Sequence, residues 1–151
     1  MKKALLAMVV ALIATASVSA QKVKRPDTYN YNRGVELLNN GEYDEGVEYL
    51  ESELSENPKN GYAYIWIGAA EYAQENYSSA LTIVNKGLSL LPKKDKEYRA
   101  FAYNLRARLY YELGEGDKAI VDFNECVALQ PENTDFLEER AQIYYEREEY
   151  E

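Results

Sequence analysis

The side chains that most often do chemistry are scarce in this 151-residue sequence. It has no histidine, so metal triads and the commonest general base are missing. Its single cysteine, Cys126, would need nearby cations and exposure to act as a nucleophile, and a small buried filler is the simpler reading. The adjacent acids Glu138 and Glu139, and Glu148 and Glu149, stand among other acids, a pattern of a solvated helix face rather than of a catalytic pair. No glycine-rich phosphate loop or serine nucleophile motif is present. The sequence therefore predicts no enzyme activity, no cofactor and no metal. It is rich instead in tyrosine, with 15 residues. Tyrosine and arginine are over-represented in interface hot spots, because each joins a large contact area to a hydrogen-bonding tip. The chemistry on offer is that of binding.

The elements that must position those side chains begin after residue 20. "MKKALLAMVVALIATASVSA" has two lysines, an apolar run and small residues at its end, the layout of a secretory signal peptide. The apolar run is too short to span a bilayer, and nothing later is apolar for as long. Cleavage after Ala20 is expected, giving a periplasmic or secreted protein whose mature chain has no membrane span. A lone cysteine in such a compartment forms no internal disulfide, so stability must come from packing. Two of the 17 basic residues and none of the 26 acidic ones lie in the signal, so the mature chain carries 15 bases against 26 acids, a net of −11. That surface repels phosphate backbones, and nucleic acid is not an expected partner.

Three similar phrases follow: "GEYDEGVEYLESELSENP", "ENYSSALTIVNKGLSLLP" and "GEGDKAIVDFNECVALQP". Pro58 and Pro92 are 34 residues apart, and Pro92 and Pro131 are 39 apart, which is one period plus a five-residue insertion near "KKDKEY" at 93–98. Small residues recur in two series, Gly34, Gly68, Ala107, Ala141 and Gly46, Ala80, Ala119, and large apolar ones in a third, Leu50, Val84, Phe123. Close approach of two helices needs the first kind and a filled core the second. First helices are predicted near 28–40, 61–74, 95–113 and 134–147, and second helices near 44–56, 78–90 and 117–129, with Asp27 and Thr134 as N-caps. Tyr43, Tyr77, Tyr110 and Tyr144 are expected to pack between helices.

This pattern resembles the tetratricopeptide repeat family, whose unit is a 34-residue helix-turn-helix with small residues at fixed slots and a closing proline. The resemblance covers residues 27–151. It implies an all-α, right-handed αα-solenoid of about three and a half repeats: signal peptide 1–20, leader 21–26, repeats 27–60, 61–94 and 95–133 (the last with the insertion), and a partial repeat or capping helix at 134–151. A departure stands at the late alanine slot, which holds Glu53, Gly87 and Cys126. Leu137, Ala141 and Tyr144 with Phe136 and Ile143 give the last helix a wide apolar face, more like a truncated array than a polar cap.

The resemblance also implies a concave groove lined by one face of the first helices. Four columns of this sequence map there: Thr28, Tyr62, Phe101, Asp135; Tyr31, Ile65, Asn104, Glu138; Val35, Ala69, Arg108, Gln142; and Leu38, Tyr72, Tyr111, Tyr145. From these, Tyr31, Tyr62, Ile65, Tyr72, Phe101, Asn104, Arg108 and Tyr111 form the candidate partner-binding set. The bland reading of Arg108 is a pair with Glu112 one turn on; its functional reading is a groove cation for a carboxylate or carbonyl. The places that hold cations and asparagines in the family's chaperone-tail clamp are Tyr31, Val35, Trp66, Phe101 and Leu105 here, so acidic chaperone tails are not the expected partner. An apolar helix or extended peptide suits the groove better. The sequence thus reads as an exported, non-catalytic scaffold for a protein or peptide partner. Two further readings stay open: the docking region of a longer exported hydrolase or protease with its catalytic domain beyond residue 151, and self-association through 134–151.

Overall fold

The computed structural model describes residues 23–150, with side chains through Glu146, and among these residues there are seven α-helices and no strand. The expected signal stretch, 1–20, and its cleavage point lie outside the described residues. In chain order the helices are α1 Tyr29–Asn39, α2 Tyr43–Glu56, α3 Gly61–Ala73, α4 Tyr77–Leu90, α5 Lys96–Glu112, α6 Gly116–Leu129 and α7 Thr134–Tyr150. They pair as three antiparallel hairpins, α1/α2, α3/α4 and α5/α6, with α7 opening a fourth. This is the expected solenoid of about three and a half repeats.

One turn closes every hairpin. The Glu42 amide donates to Leu37 O at 2.9 Å, the Asn76 amide to Glu71 O at 2.9 Å and the Glu115 amide to Tyr110 O at 2.7 Å. The amides of Gly41, Glu75 and Gly114 each donate to the carbonyl three residues back, at 3.1, 3.0 and 2.9 Å. This paired pattern satisfies the last carbonyls of the first helix and puts its middle residue in the left-handed region. Gly41, Glu75 and Gly114 have φ of 84°, 67° and 78°. Between hairpins the chain leaves the helix at Asn57, Leu91 and Gln130, none of which has helical dihedrals. Each stands before Pro58, Pro92 or Pro131, whose ring excludes helix from the residue preceding it.

The first helices start under side-chain caps, whereas the second helices start straight from the turn. Thr28, Asn60 and Asp95 accept from the amides of Tyr31, Ala63 and Tyr98 at 3.4, 3.2 and 3.2 Å, and Asn133 accepts from the amide of Asp135 at 3.1 Å. Two expected caps are therefore each off by one residue. Thr28 is extended, with φ −99° and ψ 156°, so its hydroxyl reaches the first free turn, and Asp27 accepts from Asn32 Nδ2 instead. Thr134 is already helical, and Asn133 before it supplies the oxygen.

Packing follows the residue series. Gly34 and Gly46 let α1 and α2 touch: a Cβ at Gly34 would lie 2.6 Å from Leu50 Cγ and 3.0 Å from Gly46 O. Ala80, Ala107 and Ala119 are fully buried, as are Leu50, Val84 and Phe123, each large side chain worth roughly 1.5–3 kcal/mol of burial. Ala141, at the same slot of α7, is exposed, and Tyr144 beside it is 45% exposed rather than packed between helices. Among the described residues no second helix covers that stripe. Tyr43, Tyr77 and Tyr110 are half-buried against the core as expected.

Each second helix packs on its own hairpin and on the next first helix, while α1 also touches α3 and α3 touches α5. The first helices thus form the inner layer of the curve. No helix among the described residues is long and apolar enough to cross a membrane.

Candidate functional site

The inner layer divides into two halves of opposite character. Across α1, α3 and the start of α5 it is aromatic and closed. Trp66 Nε1 donates to the hydroxyls of Tyr31 and Tyr98 at 3.1 and 3.2 Å, and those hydroxyls lie 3.1 Å apart. The Tyr62 and Tyr98 rings meet edge to face at 4.7 Å, and Phe101 packs 6.0 Å from Trp66. Trp66 is 1% exposed. Burial pushes the phenols of Tyr31, Tyr62 and Tyr98 up from their ordinary value, so they stay protonated.

What closes this half is the chain's own leader. Arg25 Nε and Nη2 donate to the two oxygens of Asp95 at 3.0 and 3.1 Å, Nη2 also meets Glu97 Oε2 at 2.5 Å, and the guanidinium lies 4.7 Å over the Tyr98 ring. Asp95 further accepts from the Tyr62 hydroxyl at 2.9 Å and, as the α5 cap, from the Tyr98 amide. Burial pushes the Asp95 carboxyl up, but the hydrogen bonds from Arg25, the Tyr98 amide and Tyr62 outweigh that and hold it below the usual carboxylate range. Three residues on, Thr28 donates to buried Glu53 at 2.5 Å, and Glu53 also accepts from Asn57 and Asn60. The departure at the late alanine slot thus holds a satisfied carboxylate that ties the start of α1 to the end of α2.

The other half, between α5 and α7, is polar and open. Arg108 Nε donates to Asn104 Oδ1 at 3.2 Å, and both Arg108 and the Asn104 amide donate to Glu139. Arg108 therefore pairs across helices with Glu139, not along its own helix with Glu112. The reason is geometric: α7 brings a carboxylate over the inner face, while Glu112 accepts from Tyr72 at 3.5 Å. Tyr111 donates to Glu146, which also accepts from Gln142. Tyr111 is 40% exposed and Tyr145 59%.

The eight residues singled out from sequence separate accordingly. Tyr31, Tyr62 and Phe101 belong to the closed aromatic half, and Ile65 is fully buried in the α3/α4 hairpin, where its side chain fills the space above Gly87. Tyr72 is buried with its ring 5.6 Å from Tyr77. Asn104 is buried beneath Arg108, and only Arg108 and Tyr111 keep appreciable accessible side chain. Arg25, Asp95, Glu97 and Glu139 were missed by sequence reasoning. The only hint was that the insertion breaking the 34-residue period is charged, as is the leader.

Cys126 is the buried filler it reads as: its thiol donates to Ala100 O at 3.2 Å, and burial, with Asp122 and Glu139 nearby, pushes it up and away from the thiolate. Asp122, also buried, accepts from Arg106 Nε and Nη2 at 2.6 and 2.8 Å, a tie between α5 and α6 away from the inner face.

Models described as tetratricopeptide repeat match residues 31–94 and 100–133, together more than half of the sequence. The chain belongs to the tetratricopeptide repeat family. Among curated proteins, this tetratricopeptide repeat chain is 28% identical to DnaJ homolog subfamily C member 3 of Gallus gallus, over 83% of the chain and 27% of that relative. It thus spans about a quarter of the relative's length. Among solved structures it resembles the first TPR domain of Spaghetti (RPAP3) bound to the HSP90 peptide SRMEEVD, with a TM-score of 0.68 and 19% identity, covering 77% of this chain and 88% of that one. It also resembles PcrH in complex with the chaperone binding region of PopD, with a TM-score of 0.67 and 16% identity, covering 85% of this chain and 100% of that one. At those identities the likeness is one of fold.

Proposed function

We propose that this protein is an exported, non-catalytic interaction scaffold that holds a peptide or helix of a partner protein on the inner face of its repeats. The observation that carries the reading is the open half of that face, where Tyr111 and, on α7, Tyr145 are exposed and half-buried Arg108 lies over buried Asn104 in its pair with Glu139. Exposed aromatic rings next to a polar cluster give a partner both contact area and orientation. The two structural relatives were each solved with a bound peptide or chaperone-binding segment, which supports use of the fold in this way. The partner differs from the acidic peptide bound by Spaghetti: the clamp positions hold Tyr31, Val35, Trp66, Phe101 and Leu105, four of them buried.

A photo-crosslinker in place of Tyr111 or Tyr145, introduced in the native host, is expected to trap a defined partner, whereas the same group at Val121, 60% exposed on α6, traps none. Equal trapping at all three positions would remove the inner face as the site. Export rests on the sequence of residues 1–20, and the mass of the protein recovered outside the cytoplasm is expected to correspond to a chain starting at Gln21; an intact Met1 terminus there would count against it. The second reading, docking within a longer exported enzyme, draws on the stripe of α7 formed by half-buried Leu137 and exposed Ala141 and Tyr144, which lines a cleft with Arg140 and Tyr145. The reading frame beyond the codon for Glu151 decides it.

A further inference from the structure

The closed half of the inner face is a formed recognition site for a guanidinium group. Asp95, 2% exposed, presents both carboxylate oxygens to the planar fork of Arg25. Glu97 supplies a second carboxylate, and Tyr98 supplies a ring face for the cation. A bidentate carboxylate and an aromatic face together select arginine over lysine, because only a planar fork satisfies both at once. Every group that does the recognising belongs to α3, α5 or the loop between α4 and α5. The group recognised comes from 70 residues away, on a leader with no regular secondary structure of its own.

The walls of the site are set independently of that occupant. Tyr98 is held by Trp66 and Tyr31, and Asp95 by its capping bond to the Tyr98 amide and by Tyr62. Loss of Arg25 would leave a formed, negatively charged cleft rather than a collapsed one. The cis occupant also leaves the site incompletely satisfied: Glu97 Oε1 is buried with no hydrogen-bond partner. A ligand bringing one more donor beside its arginine would satisfy it, since a buried acceptor without a partner costs free energy. The net charge of −9 further favours approach of basic segments.

We propose that this cleft is an arginine-peptide site that the leader fills in cis, and that an extended, arginine-bearing segment of a partner binds there by displacing Arg25. The proposal rests on the reading of the inner face as a peptide-binding surface and adds the partner's chemistry and its gate. An internal competitor on a short tether acts at an effective concentration on the order of millimolar. The leader therefore suppresses weak ligands and yields to a segment that also engages Glu97 or the open half.

The test uses the mature chain and a synthetic peptide, KVKRPDT, copied from the leader, with a second peptide carrying alanine in place of its arginine. Fluorescence anisotropy is expected to show the first peptide binding Arg25→Ala at least tenfold more tightly than wild type, and the second peptide binding neither. Asp95→Asn combined with Arg25→Ala should lose the binding. Equal binding of the two peptides, or binding unaffected by Arg25→Ala, would overturn the proposal. If Arg25→Ala does not fold, wild type carrying a spin label at Lys24→Cys decides the matter, since Cys126 is buried and escapes labelling. Excess arginine peptide should mobilise the label and the alanine peptide should not; an unmoved label refutes displacement. Crosslinking at Tyr111 does not depend on Arg25, so failure here with crosslinking intact removes the gate and leaves the scaffold.

Discussion

Glu75 stands where the first and third hairpins have Gly41 and Gly114, and it adopts their left-handed conformation with φ of 67°. A residue with a Cβ gives up about 1–2 kcal/mol in that region, and part of the gain from removing the Cβ is offset by the extra freedom of an unfolded glycine. Glu75→Gly is therefore expected to stabilise the fold by about 0.5–1 kcal/mol, seen in urea as a higher midpoint with unchanged slope. A lowered midpoint would mean that the contacts of the Glu75 side chain outweigh the backbone term. The same weighing explains Arg108 at this scale. An exposed pair one turn along a helix is worth only about 0.3–0.5 kcal/mol, so a carboxylate brought by another helix, shared with Asn104, readily takes its place.

At the scale of the helices, the boundaries of α1 to α6 follow from sequence to within one residue, because three signals coincide there. The closing prolines end the second helices, the small residues at fixed slots mark where helices touch, and the 34-residue spacing carries each boundary from one hairpin to the next. The polar ties between elements were not legible in the same way. Arg25 and Asp95 are 70 residues apart, and Asn104 and Glu139 are 35 apart. Neither contact repeats, so no periodicity announces it, and the five-residue insertion that builds the Arg25 site is the one place where the repeat register does not apply. The groove columns put Tyr31, Tyr62 and Phe101 on one open face but did not show that all three are buried, with Trp66 bonded to Tyr31 and Arg25 to the neighbouring Asp95. Openness depends on what lies on top of a face, and a helical register specifies only which residues share it.

The whole molecule is held at its N-terminal end by the Arg25 and Thr28 ties, which join the leader to α5 and the start of α1 to the end of α2, and this arrangement responds to acid in a definite direction. Asp95 titrates below its ordinary value in the folded chain, so its contribution to stability is present above the unfolded value of about 4 and is lost as pH falls through the lower folded value. Arg25 keeps its charge throughout, and the phenols of Tyr62 and Tyr98, pushed up by burial, stay neutral. Acidification also removes repulsion among 26 acidic side chains, which acts on the surface at large and works in the opposite sense. A single melting curve mixes the two effects, but the difference between wild type and Asp95→Asn separates them, because the surface charges are common to both. Wild type is expected to be the more stable at neutral pH, with the gap in thermal midpoint closing progressively below about pH 4. A gap that stayed constant across the whole acid range would show that ionisation of Asp95 adds nothing to the fold, and a gap that closed instead at alkaline pH would assign the effect to the tyrosines.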